Sequence, residues 1–304
     1  MRAGWRFGVA DHHGGFVWYE LITTDMAAAS AFYAKVVGWT VDDDSTPDLA
    51  YKLLKSGTTP VSGLMDLPGE ARRMGATARW MGYVSVENAD TATDRLKRLG
   101  GSVYVPPTDS NIGRIAVVAD PQTATLALVE GLKVGHRPPE AGKPGRVGWH
   151  ELLAADHDKV FAFYKELFDW QTVNAEHDSK VAYRTFRTGA DPIGGMFNKH
   201  PRDPVPFWLF YFNIGDIDAA AARVEAAGGQ VFEGPLELPG GGWIARCRDP
   251  QGAAFALQGK RSQDGIGRAP ASEVGWSTEW RGISSRGRLV VTKPRKDPRS
   301  DSGE

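Results

Sequence analysis

Hydrophobic and β-forming residues alternate with other residues along positions 16–23, a pattern that predicts a β-strand. Asp25 follows, and its carboxylate can accept hydrogen bonds from the free backbone N–H groups that begin a helix. The predicted helix runs to about Val37, because Gly38 is typical of a helix end. Three short strands are expected next, which completes a βαβββ unit; they cover residues 39–41, 50–54 and 61–67.

A second βαβββ unit begins with a predicted strand at residues 80–86 and a helix at 89–99 that Gly100 and Gly101 end. Its remaining strands are expected at residues 103–105, 114–118 and 125–129. The same order returns later in the chain, where a strand at 207–214 precedes a helix at 216–227 and strands near 231, 244–248 and 254–258. The chain therefore predicts four βαβββ units.

The four units form two copies, because residues 15–39 match residues 146–170 at an offset of 131 positions. The Asp-Pro-Gln segments at residues 120–122 and 249–251 match at an offset of 129. Solenoid repeats span roughly 20–50 residues, so this longer period indicates two similar domains in tandem. Residues present in both copies outline a shared site; they include Trp18/Trp149, Glu20/Glu151, Asp25/Asp156, Phe32/Phe163, Tyr33/Tyr164 and Trp39/Trp170.

The predicted domains span residues 14–131 and 146–259, and a linker rich in Gly and Pro joins them at residues 132–145. Residues 260–304 are polar and basic, and we expect this tail to be disordered. A weak electrostatic contact between the tail and an acidic partner is the alternative.

The composition is that of a soluble globular protein, with 304 residues of which 41% are hydrophobic and 24% charged. A formal net charge of −1 gives no global field that would favour nucleic acid or an anionic membrane. Cys247 is the single cysteine, which excludes an internal disulfide and fits a reducing compartment. The first residues lack the apolar core of a signal peptide, and the most apolar run, residues 207–212, is too short to cross a bilayer. We expect a cytoplasmic monomer or homodimer with a small-molecule ligand.

Three motifs resemble those of the vicinal oxygen chelate superfamily: the D-x-x-x-A-x-x-F-Y-x-x-x-x-G-W opening, the R-L-x-x-L-G-G helix end and the D-P-Q-x-A close. This superfamily includes glyoxalase I, extradiol dioxygenases, fosfomycin-resistance enzymes and bleomycin-resistance proteins. The chain looks most similar to two-domain glyoxalase-like members whose copies carry a W-x-E-L strand. The resemblance implies an α+β fold in which paired βαβββ units curl into two cup-shaped half-barrels, usually with a metal at the base.

The positions that hold the metal in such relatives carry other residue types in this chain. Divalent ions need carboxylate, imidazole or carbonyl groups, whereas indole, thioether and aliphatic groups do not bind them. We therefore predict no cofactor and no metal at the usual positions, which fall on Trp18, Met81 and Ala127 in the first copy and on Trp149, Leu209 and Ala256 in the second.

Strand alternation indicates what faces the cup instead. If Trp18 points inward, so do Glu20 and Ile22, while Val17, Tyr19 and Leu21 point toward the helices. The same argument turns Met81 and Tyr83 inward in the first copy. In the second copy it turns Trp149, Glu151, Leu209, Tyr211 and Asn213 inward and His150 outward.

Glu20 and Glu151 allow three interpretations. A carboxylate among aromatic groups has a raised pKa and can act as a general acid or base, with Tyr83 or Tyr211 donating to an oxyanion. Alternatively, each Glu accepts structural hydrogen bonds as a satisfied buried acid. In the third interpretation, Glu20 or Glu151 holds a divalent metal at a displaced position with further partners.

Other residues are candidate substrate contacts. Trp18 and Trp149 could stack on a flat ligand or could fill the cups as aromatic plugs. Arg114 and Trp243 occupy equivalent positions but differ in chemistry, so the two cups need not bind the same molecule. Arg79 could pair with an anionic ligand, although a solvated arginine is the simpler interpretation. Cys247 has the pattern of a small core residue.

Two functional hypotheses follow. The first is a binding protein, similar in principle to bleomycin-resistance proteins, whose cups take a small and partly aromatic or apolar molecule. The second is an enzyme of the lyase, isomerase or dioxygenase type that uses Glu20 or Glu151 as acid or base, or as ligands of a displaced metal. The absent metal ligands favour the first, and the repeated inward Glu favours the second.

Overall fold

Two domains of the same architecture appear in a computed structural model, which describes residues 13–133, 142–173, 183–238 and 241–262. The elements of the first domain are β1 (Phe16–Thr23), α1 (Met26–Val36), β2 (Thr40–Asp43), β3 (Tyr51–Ser56), β4 (Thr59–Asp66), α2 (Gly69–Arg73), β5 (Arg79–Ser85), α3 (Ala89–Arg98), β6 (Ser102–Asp109), β7 (Arg114–Ala119) and β8 (Thr125–Glu130). Those of the second are β9 (Val147–Ala154), α4 (His157–Phe168), β10 (Gln171–Thr172), β11 (Tyr183–Arg187), β12 (Pro192–Asn198), β13 (Phe207–Asp216), α5 (Ile217–Ala226), β14 (Gln230–Glu237), β15 (Trp243–Arg248) and β16 (Ala254–Lys260).

The predicted order of strands and helices is confirmed, with shifts of a few residues at the ends. Asp25 caps α1 by accepting the Ala28 N–H at 2.9 Å, and Asp156 caps α4 in the same way through Lys159. The short helix α2 is absent from the sequence prediction, because Pro68 and Gly69 at its start are more typical of a turn.

Each domain forms one eight-stranded sheet, in the orders β2-β3-β4-β1-β5-β8-β7-β6 and β10-β11-β12-β9-β13-β16-β15-β14. The two βαβββ units of a domain meet through antiparallel pairing of their first strands, β1 with β5 and β9 with β13. Each first strand also pairs in parallel with the last strand of its own unit. The four units therefore pair within their own domain, and the two sheets are open half-barrels.

The helix-facing sides of both sheets share one hydrophobic core, and the motif residues of one domain contact the other domain across it. Tyr33 donates to Asp249, and its counterpart Tyr164 donates to Asp120 at 3.0 Å. The indole N–H groups of Trp39 and Trp170 donate to backbone carbonyl groups of the opposite half. The repeated Tyr, Trp and Asp-Pro-Gln residues therefore build the contact between domains, not a ligand site.

A β-bulge alters one predicted orientation. Tyr19 and Leu21 lie in the shared core as expected, whereas Trp18 and Ile22 lie on the opposite face. The register of β1 against β5 shifts by one residue between Phe16 and Trp18. Val17 therefore joins Trp18 in the cluster inside the cup, and the prediction that it faces the helices is wrong.

No helix among the described residues is long and apolar enough to cross a membrane. Most of the predicted linker and nearly all of the predicted tail lie outside the described residues. Residues 260–262 of the tail are described, and the guanidinium of Arg261 pairs with Asp218 of α5 and lies 3.6 Å from the ring centroid of Trp243.

Candidate functional site: two tyrosine–glutamate centres

The sheet face turned away from the shared core carries a separate cluster of side chains in each domain. We call these faces cup 1, in the first domain, and cup 2, in the second. Cup 1 contains Trp18, Met81 and Tyr83, and cup 2 contains Leu209 and Tyr211, so strand alternation places these predicted residues correctly.

Glu20 forms the centre of cup 1, where it is 3% exposed. Tyr51 donates to its Oε1 at 2.6 Å, and Tyr83 donates to its Oε2. The indole N–H of Trp18 donates to the Tyr51 hydroxyl at 3.3 Å. Both carboxylate oxygens are therefore satisfied from inside the protein.

A glycine on the neighbouring strand makes room for each bridging tyrosine. A Cβ at Gly63 would lie 1.9 Å from the Tyr51 hydroxyl, and one at Gly195 would lie 2.2 Å from Cζ of Tyr183. Because real Cβ contacts are never this short, Tyr51 and Tyr183 can cross the strand only over glycine. The two glycines at equivalent positions therefore keep the same geometry in both cups.

Glu151 forms the centre of cup 2, where it is 2% exposed. Its Oε2 accepts from the Tyr211 hydroxyl and, at 2.7 Å, from Nη2 of Arg246. Arg246 also donates from Nε to the Tyr211 hydroxyl at 2.9 Å and from Nη1 to Glu233. This guanidinium is only 4% exposed, so cup 2 contains a buried charged network.

Cup 1 has no counterpart to that network, because different residues occupy the equivalent strand positions. Arg246 of β15 pairs across the strands with Glu233, whereas the corresponding pair in the first domain is Val117 with Val105. Among the described residues, Glu20 therefore has uncharged donors in cup 1, while Glu151 has a cationic partner in cup 2.

Burial raises the pKa of Glu20 above its ordinary value of 4.5, although hydrogen bonds from Tyr51, Tyr83 and Trp18 lower it in part. Burial likewise raises the pKa of Tyr51 and of Tyr83, so both phenols stay protonated at neutral pH. The environment of cup 1 therefore favours a neutral carboxylic acid more than water does.

The residues at the positions that the resemblance assigns to a metal lie together in the structure. Trp18 is opposite Tyr83, which is opposite Ala127, and Met81 is opposite Glu20. Indole, methyl and thioether groups are poor ligands for divalent ions. In the described part of the chain, no group of three or more His, Cys, Asp or Glu side chains is placed to hold a metal. This donor set does not fit the expected ion.

The two cups differ in how much aromatic surface they expose. Trp18 is 2% exposed, whereas Trp149 is half-buried and its indole N–H donates to Tyr183 at 2.8 Å. Tyr183 stacks on Phe197, with ring centroids 6.0 Å apart and an interplanar angle of 22°. Phe197 and Phe207 are also half-buried, so cup 2 has a wall of four partly accessible aromatic rings.

The remaining candidate contacts lie away from these centres. Asn213 is occupied structurally, since its amide accepts from Gln258 at 2.6 Å and donates to the Lys143 carbonyl. Arg114 forms ion pairs with carboxylates near the start of α3 and at the end of β6. Trp243 packs against the shared core. The structure thus does not bring Arg114 or Trp243 to either centre, and their contact with a substrate stays a prediction.

His150 faces away from cup 2, as strand alternation predicts. Its Nε2 is 2.6 Å from the Tyr19 hydroxyl, its ring stacks on Phe16, and its Nδ1 lies 2.6 Å from the Ile193 carbonyl oxygen. Burial lowers the pKa of His150 to about 4. Cys247 is buried in the shared core, where burial raises the pKa of its thiol to about 12. Neither residue is placed for catalysis in a cup.

Sequence reasoning did not identify Tyr51, Tyr183, Arg246 or Glu233 as site residues. Tyr51 and Tyr183 recur at equivalent strand positions, which is the signal that could have indicated them. For Arg246, the signal is a charged residue inside a strand on the same face as Ile244, which faces the cup.

Comparison with known proteins supports the architecture. The model of the Glyoxalase/Bleomycin resistance protein/Dioxygenase superfamily matches residues 15–128 and 146–257. The chain is 32% identical to "Putative glyoxylase CFP32" of Mycobacterium tuberculosis over 245 residues, covering 79% of this chain and 92% of the relative. It is 30% identical to "Anthracycline biosynthesis protein DauV" of Streptomyces sp. over 262 residues, which cover 80% of this chain and 92% of that protein.

Solved structures share the fold at low sequence identity. The Mn(II)-bound glyoxalase from Novosphingobium aromaticivorans has a TM-score of 0.58 and 14% identity, with 83% of each chain covered. A homoprotocatechuate 2,3-dioxygenase variant from B. fuscum has a TM-score of 0.58 and 15% identity, covering 84% of this chain and 73% of that one.

Proposed function

This chain belongs to the Glyoxalase/Bleomycin resistance protein/Dioxygenase superfamily, and from that premise we propose that it binds a flat, partly aromatic small molecule in cup 2, without a metal at the usual positions. The observation that carries the proposal is the half-buried indole of Trp149. It is fixed by a 2.8 Å hydrogen bond to Tyr183 and adjoins the partly accessible rings of the same wall.

Fixed aromatic rings suit a planar ligand for two reasons. Offset stacking adds about 0.5–1.5 kcal/mol per ring pair beyond the area that is buried. Little further side-chain entropy is lost on binding, because Trp149 and Tyr183 already hold each other in place. The wall is therefore organised before a ligand arrives.

In this proposal, the charged network holds the residues beneath the aromatic wall in place. Arg246 bonds Glu151, Glu233 and Tyr211, and its guanidinium carbon lies 5.2 Å from the ring centroid of Phe197. Such a saturated guanidinium fixes its neighbours and has little donor capacity left for a ligand. Tyr211 and Glu151 then have structural roles, as do Tyr83 and Glu20 in cup 1.

The names of two relatives support the proposal of an aromatic ligand. Two matching Streptomyces proteins are named for anthracycline biosynthesis, and anthracyclines are polycyclic aromatic compounds. Trp18, the counterpart of Trp149, is almost fully buried, so stacking on it would require the interior of cup 1 to open. The proposal therefore assigns aromatic binding to cup 2 alone.

A titration with 1,4-dihydroxyanthraquinone, followed by quenching of tryptophan fluorescence, tests the proposal. Trp149→Leu should weaken binding about tenfold, because the stacking surface is lost. The matched control is Trp243→Leu, which removes a half-buried tryptophan of the same domain from the opposite face of the sheet. Binding that is unchanged in Trp149→Leu, or weakened only in Trp243→Leu, would place the ligand elsewhere and refute the proposal.

An enzymatic role is the second candidate, and the raised pKa of Glu20 favours it. A carboxylic acid with a raised pKa is a better proton donor at a given pH than an ordinary carboxylate side chain. Its 3% exposure means that cup 1 would have to open first. A lyase or isomerase activity that Glu20→Gln abolishes while Glu151→Gln retains it would support this candidate, and activity kept in Glu20→Gln would exclude it.

A further inference from the structure

Arg79 is a cationic side chain in cup 1 with no acidic partner among the described residues. It opens β5 on the same face as Met81 and Tyr83, which lie in the cluster inside the cup. Its Nε is buried and makes no hydrogen bond within the described ranges, and its Nη1 has one long contact, 3.4 Å from the Thr77 carbonyl oxygen. The half-buried guanidinium is therefore poorly satisfied.

Other arginines of the molecule show what is missing at this position. Arg114 and Arg246 each pair with two carboxylates. The Nε atoms of Arg184 and Arg187 are also buried without a partner, but Nη2 of Arg184 pairs with Asp158 and Nη2 of Arg187 donates to Gln171. Burial lowers the pKa of Arg79, and Tyr104 offsets this effect only in part. Leaving a buried donor without a partner costs free energy, so an anion at this position would be favourable.

The surroundings of Arg79 are apolar. Across β1 its partner is Ile22, which in turn pairs with Met65 of β4, and both belong to the cup 1 cluster or pack against it. Asp66, the nearest acid along β4, belongs to the strand face opposite to that of Met65. Burial favours the neutral form of Glu20, which removes a further source of repulsion for an anion.

Tyr104 completes the candidate site. It is 57% exposed on the edge strand β6 and lies close enough to Arg79 to influence the guanidinium electrostatically. The second domain has Phe207 at the position of Arg79 and Phe232 at that of Tyr104, so cup 2 has neither polar group. The combination of an arginine on the first strand of the second unit and a tyrosine on the edge strand is therefore specific to the first domain.

We propose that the rim of cup 1 is a separate binding site for a small organic carboxylate, held by the half-buried guanidinium of Arg79 and the hydroxyl of Tyr104, with its apolar body against the half-buried Met65. The two Nη groups of a guanidinium form a fork that matches the two oxygens of a carboxylate. The apolar walls favour an organic acid over inorganic phosphate, whose strong hydration would be lost there.

Isothermal titration of the full chain with phenylacetate tests this site, with phenylacetamide as the neutral analogue and inorganic phosphate as the alternative anion. Phenylacetate should bind, and the other two should bind at least tenfold more weakly. Arg79→Gln should weaken phenylacetate binding at least tenfold, and Tyr104→Phe severalfold. Arg95→Gln, which removes an exposed arginine of α3 that pairs with Glu166, should leave it unchanged.

Thermal unfolding without ligand separates binding from a structural role. Because Arg79 is poorly satisfied, Arg79→Gln should unfold at the same temperature as the wild type or higher, while losing the stabilisation that phenylacetate gives. The proposal is overturned if phenylacetate shows no saturable binding, if it binds Arg79→Gln as tightly as the wild type, or if phosphate binds as well as phenylacetate. Aromatic binding in cup 2 is independent of each of these outcomes.

Discussion

The two glutamate centres should respond very differently to the same substitution. Glu151→Gln removes the charge that pairs with Arg246, a guanidinium that is 4% exposed. Breaking a buried pair by removing one partner costs about 3–5 kcal/mol. Glu233 still pairs with Arg246, so we expect a loss of stability at the lower end of this range, about 3 kcal/mol. Glu20→Gln leaves no unpaired charge, and one poorer hydrogen bond costs about 1 kcal/mol.

Thermal and urea unfolding measure this contrast. The domains share one core, so we expect a single cooperative transition. A loss of about 3 kcal/mol lowers the melting temperature by roughly 6–12 °C in a protein of this size, against roughly 2–4 °C for the Glu20 variant. The double variant Glu151→Gln/Arg246→Val, which copies the Val117 arrangement of the first domain, should recover much of the loss. Equal losses in the two single variants, or no recovery in the double variant, would refute the buried ion pair as the source of the difference.

Three further predictions concern pH and packing. The folded-state pKa of Glu20 is raised, so its contribution to stability is present at low pH and is lost as pH rises through that pKa. In urea unfolding, the stability of the wild type relative to Glu20→Gln should therefore fall from pH 4 upward. A difference that rises with pH would contradict this. Burial lowers the pKa of His150 to about 4, so stability should fall on acidification from pH 6.5 to 4, and His150→Gln should unfold with a weaker pH dependence over that range. Gly63→Ala drives a Cβ into the Tyr51 hydroxyl and should lower the free energy of unfolding by about 1–3 kcal/mol. In the control variant Gly215→Ala the new Cβ meets no atom within 4 Å, so its free energy of unfolding should differ from that of the wild type by less than about 0.5 kcal/mol. Equal effects of the two substitutions would count against the tyrosine bridge.

Local patterns in the sequence were sufficient to predict the helices and strands and many of the side chains inside the cups. Asp25 and Asp156 mark helix starts because capping depends on residues three positions apart. Strand alternation placed Trp18, Glu20 and Tyr83 on one face, since that periodicity is a property of the strand itself. It failed at Val17 because a bulge depends on pairing with another strand.

Local patterns could not predict which residues form each glutamate centre. Tyr51 reaches Glu20 from 31 residues away, and Arg246 reaches Glu151 from 95 residues away. Such contacts depend on how β3 and β15 curl toward the central strands, which local periodicity does not encode. The role of the Asp-Pro-Gln segments was missed for the same reason, because Asp120 and Asp249 accept hydrogen bonds from the opposite domain.

Indole N–H resonances, assigned through the variants Trp149→Phe and Trp18→Phe, test most directly whether cup 2 is the aromatic site. Addition of 1,4-dihydroxyanthraquinone should shift the resonance of Trp149, whose N–H bonds Tyr183 in the half-buried wall, and leave that of the buried Trp18 in place. A shift confined to Trp18, or saturable binding that leaves Trp149 unchanged, would contradict the assignment of ligand binding to cup 2.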